Sequence, residues 1–267
     1  MDYLYTNDTR FAHSTSSSWY NKPTGFEWKR ENFQESNFII LTNLETLNSF
    51  KEKKVFGWII EPPEIDSFQY EYVKKNINSF EKIYTYDENL LKISDKFDFL
   101  PIGGCWIEET DWGIYDKNKV INIIASSKTQ TSGHKLRHEV ISNIKNIDIY
   151  GNGYNPFKNK IDVLKDYMYS ITVENQKMDF LFTEKLIDCF LTGTIPIYYG
   201  CPSISKFFNT DGMLIFDSIN ELSEIVNMID TEYYYSKIES IKENFELAKK
   251  YTICDNILYE KIKNELR

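Results

Sequence analysis

The chain has 267 residues, 42% hydrophobic and 27% charged, which suits one large domain or two small ones with a buried core and reads as a globular protein rather than a disordered one. Its formal charge of −9 argues against general nucleic-acid binding, where phosphate neutralisation supplies most of the affinity, and leaves room for a local anion pocket built on one or two cations. Cys105, Cys189, Cys201 and Cys254 form no C-x-x-C pair, and the three histidines, His13, His134 and His138, do not complete a zinc set, so reduced, partly buried thiols and no bound metal are expected.

Met1–Tyr5 shows no basic region followed by an apolar run, and no apolar stretch approaches the ~20 residues of a spanning helix. The expectation is a protein without signal peptide or membrane span, in the cytoplasm of a bacterium or of a virus-infected cell. Residues 1–36, polar and aromatic with a serine run at Ser14–Ser18, read as lacking regular structure.

A βα rhythm then begins. Phe38–Thr42 reads as a buried strand, Leu44–Glu52 as a helix, and Val55–Ile60 as a strand stopped by Glu61-Pro62-Pro63, since proline cannot continue a central ladder. A helix over Ser67–Asn78, a strand at Lys82–Tyr86 and another at Phe97–Pro101 follow, with Gly103-Gly104 as a turn. The polar stretch Trp106–Lys119 reads as an interdomain linker. Beyond it come strands at Val120–Ala125, Ile147–Tyr150, Tyr169–Val173 and Ile195–Tyr199, and helices at His134–Asn146 and Thr183–Leu191. Tyr233–Lys250 and Asn256–Leu266 read as closing helices. Strands alternating with helices in both halves predict an α/β protein of two Rossmann-like domains, residues 1–110 and 119–267, with parallel sheets facing a cleft in the manner of GT-B glycosyltransferases.

Four segments carry candidate chemistry. In Asp179–Tyr199, Thr183 can cap the following helix and Glu184 suits its first turn, whereas Lys185 there opposes the helix dipole. Lys185 is therefore either a solvated cation or one held for an anion arriving at that helix end. In Ser126–Arg137 a hydroxyl-rich loop with Lys128, Lys135 and Arg137 could cradle phosphate, although Lys135–Glu139 also reads as a solvated helix face; neither a dinucleotide nor a P-loop fingerprint applies. Glu61, at a strand's carboxyl end, sits where a general base belongs, or is a loop carboxylate making a turn hydrogen bond. Glu174 and Asn175 could bind ribose or sugar hydroxyls, or cap the next turn. No D-x-D bounded by strands is present to hold a divalent ion on a diphosphate.

Taken together, these segments resemble family 10 glycosyltransferases, the α-1,3/4-fucosyltransferases. Over residues 167–200, Glu174-Asn175, Thr183-Glu184-Lys185, Gly193–Pro196 and Gly200 stand where that family's donor-binding signature has them. Ser126 and Ser127 resemble its strand-end Ser-Asn, Arg137 its phosphate arginine, Ile149–Gly151 its strand-to-turn segment, Glu61-Pro62 its catalytic Glu-x-Pro, and Pro101–Gly103 its Pro-Tyr-Gly. The likeness is fullest over residues 120–210 and thinner over 38–106. It implies an inverting, metal-independent transferase with no cofactor beyond its donor, GDP-fucose or a related GDP-sugar, and a glycan hydroxyl as acceptor. Ser126, Ser127, Arg137 and Lys185 would hold the diphosphate, Asn175 and Glu184 would orient ribose or sugar hydroxyls, and Glu61 would take the acceptor proton. Leu181, Ile102 and Ser127 depart from the family's Tyr, Tyr and Asn, and bear on the sugar or base more than on the fold or the phosphate site.

Overall fold

A computed structural model describes residues 2–8 and 16–265, so His13 and the start of the serine run lie outside the described residues. The chain divides into two compact units, Met1–Ile102 with Ile253–Arg267, and Gly103–Thr252. Each is built on an all-parallel sheet with helices, so the α/β class expected from the βα rhythm holds.

The first unit has six strands, β1 (Asp2–Asn7), β2 (Phe26–Lys29), β3 (Phe38–Leu41), β4 (Lys54–Trp58), β5 (Lys82–Thr85) and β6 (Phe97–Phe99), in the order β2-β1-β3-β4-β5-β6. Strands β1 and β2 correct the reading of residues 1–36 as irregular. Only Leu4, Tyr5 and Thr6 of β1 are buried, too few to make an apolar run, and its strand state is fixed by pairing with β2 and β3. The expected helix after Asn43 is a 3-10 turn over Leu44–Phe50. Helix α1 (Pro63–Asn76) starts at the very proline read as a strand stop, because proline's missing N–H costs nothing in a first turn. A short α2 (Glu88–Leu91), capped by Asp87, joins β5 to β6.

The second unit holds β7 (Lys119–Ile124), β8 (Asp148–Tyr150), β9 (Tyr167–Val173), β10 (Ile195–Tyr199) and β11 (Leu214–Ile215), ordered β11-β10-β9-β7-β8. Its helices are α3 (Ser132–Asn143), α4 (Ile161–Leu164), α5 (Glu184–Leu191), α6 (Ile219–Met228), α7 (Thr231–Ser236) and α8 (Ile238–Ala248). All seven residues of β9 are buried, as a central strand covered on both faces requires. On one face Ile171 joins Ile123, Val140 and Ile197 in a core cluster; on the other the Thr172 hydroxyl lies 3.3 Å from Cys189 Sγ of α5. The four cysteines are buried.

Two boundaries differ from expectation. The stretch read as a linker is packed into the second unit: the Trp106 amide donates to Asp188 Oδ1 (2.9 Å), the Gly113 amide to the Leu191 carbonyl (3.0 Å), and buried Lys117 donates to the Lys165 and Thr192 carbonyls and to Thr194 Oγ1 (3.0, 2.7 and 3.0 Å). The closing helix α9 (Cys254–Ile262) belongs to the first unit. Its buried Asp255 accepts hydrogen bonds from the Ser17 amide and hydroxyl and from Trp28 Nε1, so the serine run and β2 anchor it there. The other expected closing helix is two helices, α7 and α8.

Candidate functional site

In the second sheet the strand order reverses between β7 and β9, since the chain steps outward to β8 and then returns to the other side of β7. Loops diverge at such a switch point and leave a crevice beyond the carboxyl ends of the strands. Ser126 and Ser127 follow β7 there, and Glu174 and Asn175 follow β9.

Helix α3 starts against the end of β9. Thr131 caps it, accepting from the His134 amide at 3.1 Å, while His134 Nδ1 accepts from the Thr131 amide at 3.3 Å, a reciprocal capping box. The Gly133 amide donates to the Asn175 carbonyl at 2.9 Å. A Cβ on Gly133 would lie 1.8 Å from the Glu174 carbonyl oxygen, so only glycine lets the helix come this close. Gly151 plays the same part after β8, where a Cβ would lie 1.8 Å from the Ala125 carbonyl oxygen, and its φ of 120° suits glycine besides.

That approach buries Arg137, which is 5% exposed. Nε donates to the Val173 carbonyl at 3.1 Å, and Nη2 donates to the same carbonyl and to Asn175 Oδ1 at 3.0 Å. The guanidinium thus closes the end of β9 and orients Asn175. Burial draws its pKa down, against the pull of the Glu174 and Glu184 charges.

Glu174 is fully buried and holds the start of α5: Oε1 accepts from the Thr183 amide (2.9 Å) and Oε2 from the Thr183 hydroxyl (2.7 Å). Thr183 is the N-cap of α5, as its sequence position indicated. Lys185 Nζ donates to Thr183 Oγ1 (3.1 Å) and Glu184 Oε1 (2.9 Å) and lies 3.8 Å from Glu174 Oε2. Its side chain is 24% exposed. Burial works to raise the Glu184 pKa, but the Lys185 and Lys160 charges outweigh it and bring it to about 2, so Glu184 is an ionised acceptor at neutral pH. Lys160 is itself fixed by Asp188 at 2.6 Å.

The structure therefore brings Arg137, Asn175, Glu184 and Lys185 together around one strand end. The Ser127 amide donates to the Asn152 carbonyl at 3.0 Å, tying its loop to the turn after β8. Sequence reasoning passed over Gly133 and His134. The latter sits in the first turn of α3, where burial and the charges of Arg137, Lys128 and Lys185 pull its pKa down to about 4, leaving a neutral imidazole. The S/T-G-H order before a helical run was the available signal.

Glu61 belongs to the first unit, three residues past β4 and half-buried, its carbonyl accepting from the Tyr70 hydroxyl at 3.2 Å. Glu64, in the first turn of α1, is exposed. Among the described residues no group of three or more His, Cys, Asp or Glu side chains could hold a metal ion, and no helix is long and apolar enough to cross a membrane.

The model of the glycosyltransferase family 10 (fucosyltransferase) C-terminal region matches residues 114–263. The chain is 36% identical over 77 residues to the alpha-(1,3)-fucosyltransferase FucT of Helicobacter pylori, a match that covers 29% of this chain and 16% of that relative. Among solved structures, an alpha1,3-fucosyltransferase superposes with a TM-score of 0.62 at 17% identity, over 97% of this chain and 89% of that one. Anabaena Alr3699/HepE in complex with UDP superposes with a TM-score of 0.64 at 8% identity over the full length of both chains. These likenesses place the fold among the GT-B glycosyltransferases, and with more than half of its length matched, the chain belongs to glycosyltransferase family 10, the fucosyltransferase family.

Proposed function

We propose that the chain transfers fucose from GDP-fucose to a hydroxyl of a glycan, with inversion at the anomeric carbon and without a metal ion. The observation that carries this reading is the pairing of a buried, hydrogen-bonded Arg137 with a partly exposed Lys185 at one strand end, in a chain of this family. A departing GDP gathers negative charge on its diphosphate, and fixed cations stabilise that charge without reorganising as the bond breaks, the part a divalent ion plays elsewhere. Glu184, ionised, accepts from ribose or sugar hydroxyls, Asn175 presents its amide beside it, and the Ser126-Ser127 loop contributes hydroxyls. Glu61 accepts the proton of the acceptor hydroxyl as its oxygen bonds to the anomeric carbon and the anomeric carbon–phosphate oxygen bond breaks.

A second reading keeps the reaction and changes the donor. Leu181 and Ile102, buried where the family pattern has tyrosine, offer no hydroxyl to the nucleotide or sugar. Incubation with GDP-fucose, other GDP-sugars and UDP-glucose, with product detection by mass, separates the two. Consumption of GDP-fucose in the presence of a glycan supports the first reading. Preference for another donor supports the second, and turnover of none refutes both.

A further inference from the structure

The turn from β4 to α1 carries Glu61 and is followed at once by Pro62 and Pro63, which bring no amide donor. On either side of it ordinary backbone bonds hold the chain. The Ile59 amide donates to the Tyr84 carbonyl at 2.9 Å, and the Ile65 and Asp66 amides donate to the Pro62 carbonyl at 2.9 and 3.0 Å. Between these, the carbonyls of Ile60 and Glu61 are held by side chains. The Tyr86 hydroxyl donates to the first and the Tyr70 hydroxyl to the second, each at 3.2 Å.

The two tyrosines come from different elements, Tyr70 from α1 and Tyr86 from the residue after β5. The turn is thereby tied both to the helix that follows it and to the neighbouring strand. Tyr86 is itself set in a fixed backbone: the Asp87 amide donates to Thr85 Oγ1 at 3.1 Å, and Asp87 Oδ1 accepts from the Asn89 and Leu90 amides at 2.7 and 2.9 Å. Tyr70 and Tyr86 are 4% and 0% exposed, whereas Ile60 and Glu61 are half-buried, so two core hydroxyls are directed at a turn nearer the surface than they are. Phenylalanine would fill the same core at both positions without reaching those carbonyls. Burial raises both phenol pKa values, and the Glu61 and Asp87 charges push the same way, so both groups remain protonated donors at neutral pH.

We infer that Tyr70 and Tyr86 are positioning residues for the transfer reaction: by clamping two consecutive carbonyls they fix the backbone of Glu61 and so aim its carboxylate at the attacking hydroxyl. A misplacement of about 1 Å between reacting groups can cost about a hundredfold in rate, so a turn released by one hydrogen bond is enough to matter. The inference rests on Glu61 being the base of the proposed reaction.

Tyr70→Phe and Tyr86→Phe test it, each made in the wild type and in a Glu61→Gln background. The probe is GDP-fucose, with methyl hexopyranosides or water alone as acceptor, and the readout is GDP release. All proteins are assayed well below their melting temperatures, with GDP affinity measured in parallel by calorimetry. Each single variant should lower kcat about tenfold or more, with the KM for GDP-fucose and the affinity for GDP unchanged. In the Glu61→Gln background the same substitutions should lower the remaining rate by less than about twofold, because groups that act as a unit lose their effect together. A role confined to stability predicts a lower melting temperature in both variants and no such dependence on Glu61. Tyr70→Phe carries the test should Tyr86→Phe, at the more deeply buried position, fail to fold.

A kcat within about twofold of wild type in the folded variants, or an equal loss with and without Glu61, overturns the inference while leaving the transfer reaction standing. Wild-type transfer by Glu61→Gln removes the base itself, and the clamp's role with it. Absence of GDP release from GDP-fucose by the wild type refutes the proposed function and this inference together.

Discussion

Gly133→Ala tests whether the start of α3 must lie on the end of β9. The new methyl would meet the Glu174 carbonyl oxygen at 1.8 Å and the Asn175 carbonyl carbon and oxygen at 2.8 Å, all backbone atoms that cannot rotate away. To reach ordinary contact at about 3.4 Å, the helix must withdraw by roughly 1.6 Å. That movement breaks the 2.9 Å bond from the Gly133 amide to the Asn175 carbonyl and carries the Arg137 fork off the Val173 carbonyl. Overpacking of this kind costs about 1–3 kcal/mol, and one lost hydrogen bond about 1 kcal/mol more. Alanine's better helix propensity returns less than about 1 kcal/mol. A net loss of about 2–3 kcal/mol lowers the melting temperature by roughly 5–12 °C in a domain of this size. The assay is thermal unfolding followed by circular dichroism, with GDP titrated into each protein. Gly113→Ala is the control, since a Cβ there would only touch the Tyr115 ring at 3.5 Å, and it should melt within about 1 °C of wild type. A Gly133→Ala protein that melts with the control and binds GDP normally would refute the claim that this close approach builds the site.

Three further outcomes follow from the same geometry. Arg137→Lys keeps the charge and loses the fork, so it should cost about 1–3 kcal/mol of stability by leaving the Val173 carbonyl or Asn175 unpaired, read by urea unfolding. Glu61→Gln should lower transfer by ~10²–10⁴ with GDP affinity unchanged, while Glu64→Gln, at an exposed position, should be near neutral in both assays. Burial lowers the Lys117 pKa to about 7, so between pH 7 and its unfolded value near 10.5 the unfolded chain binds more protons than the native one. Stability should consequently rise with pH from 7 to about 9.5, and the slope should flatten in Lys117→Met; an unchanged slope in that variant would assign it to other groups.

The signals legible in the sequence were those that local chemistry controls. Thr183 reads as a cap because a hydroxyl followed by an acid and an apolar run satisfies a helix start wherever the helix packs, and β9 and β10 read as strands because burial on both faces demands continuous apolar residues. What stayed hidden was set by tertiary pairing. Strand β1 carries Asp2, Thr6 and Asn7 and is made a strand by its neighbours. The docking of α9 on the first unit depends on Asp255 meeting Ser17 and Trp28, more than 220 residues away in sequence. Within the site, the run around Lys185 was readable, but its engagement by Glu184 was not, and Gly133 matters only because another backbone lies against it.

The central claim is that side-chain cations of the second unit hold a guanosine diphosphate without a metal. Calorimetric titration of GDP in EDTA, into wild type and Lys185→Met, tests it most directly. Saturable one-to-one binding in wild type, weakened by about 1.5–3 kcal/mol in Lys185→Met and stronger than binding of UDP, is the predicted result. Binding that appears only when Mg²⁺ or Mn²⁺ is restored, or that is equal in the two proteins, would contradict it.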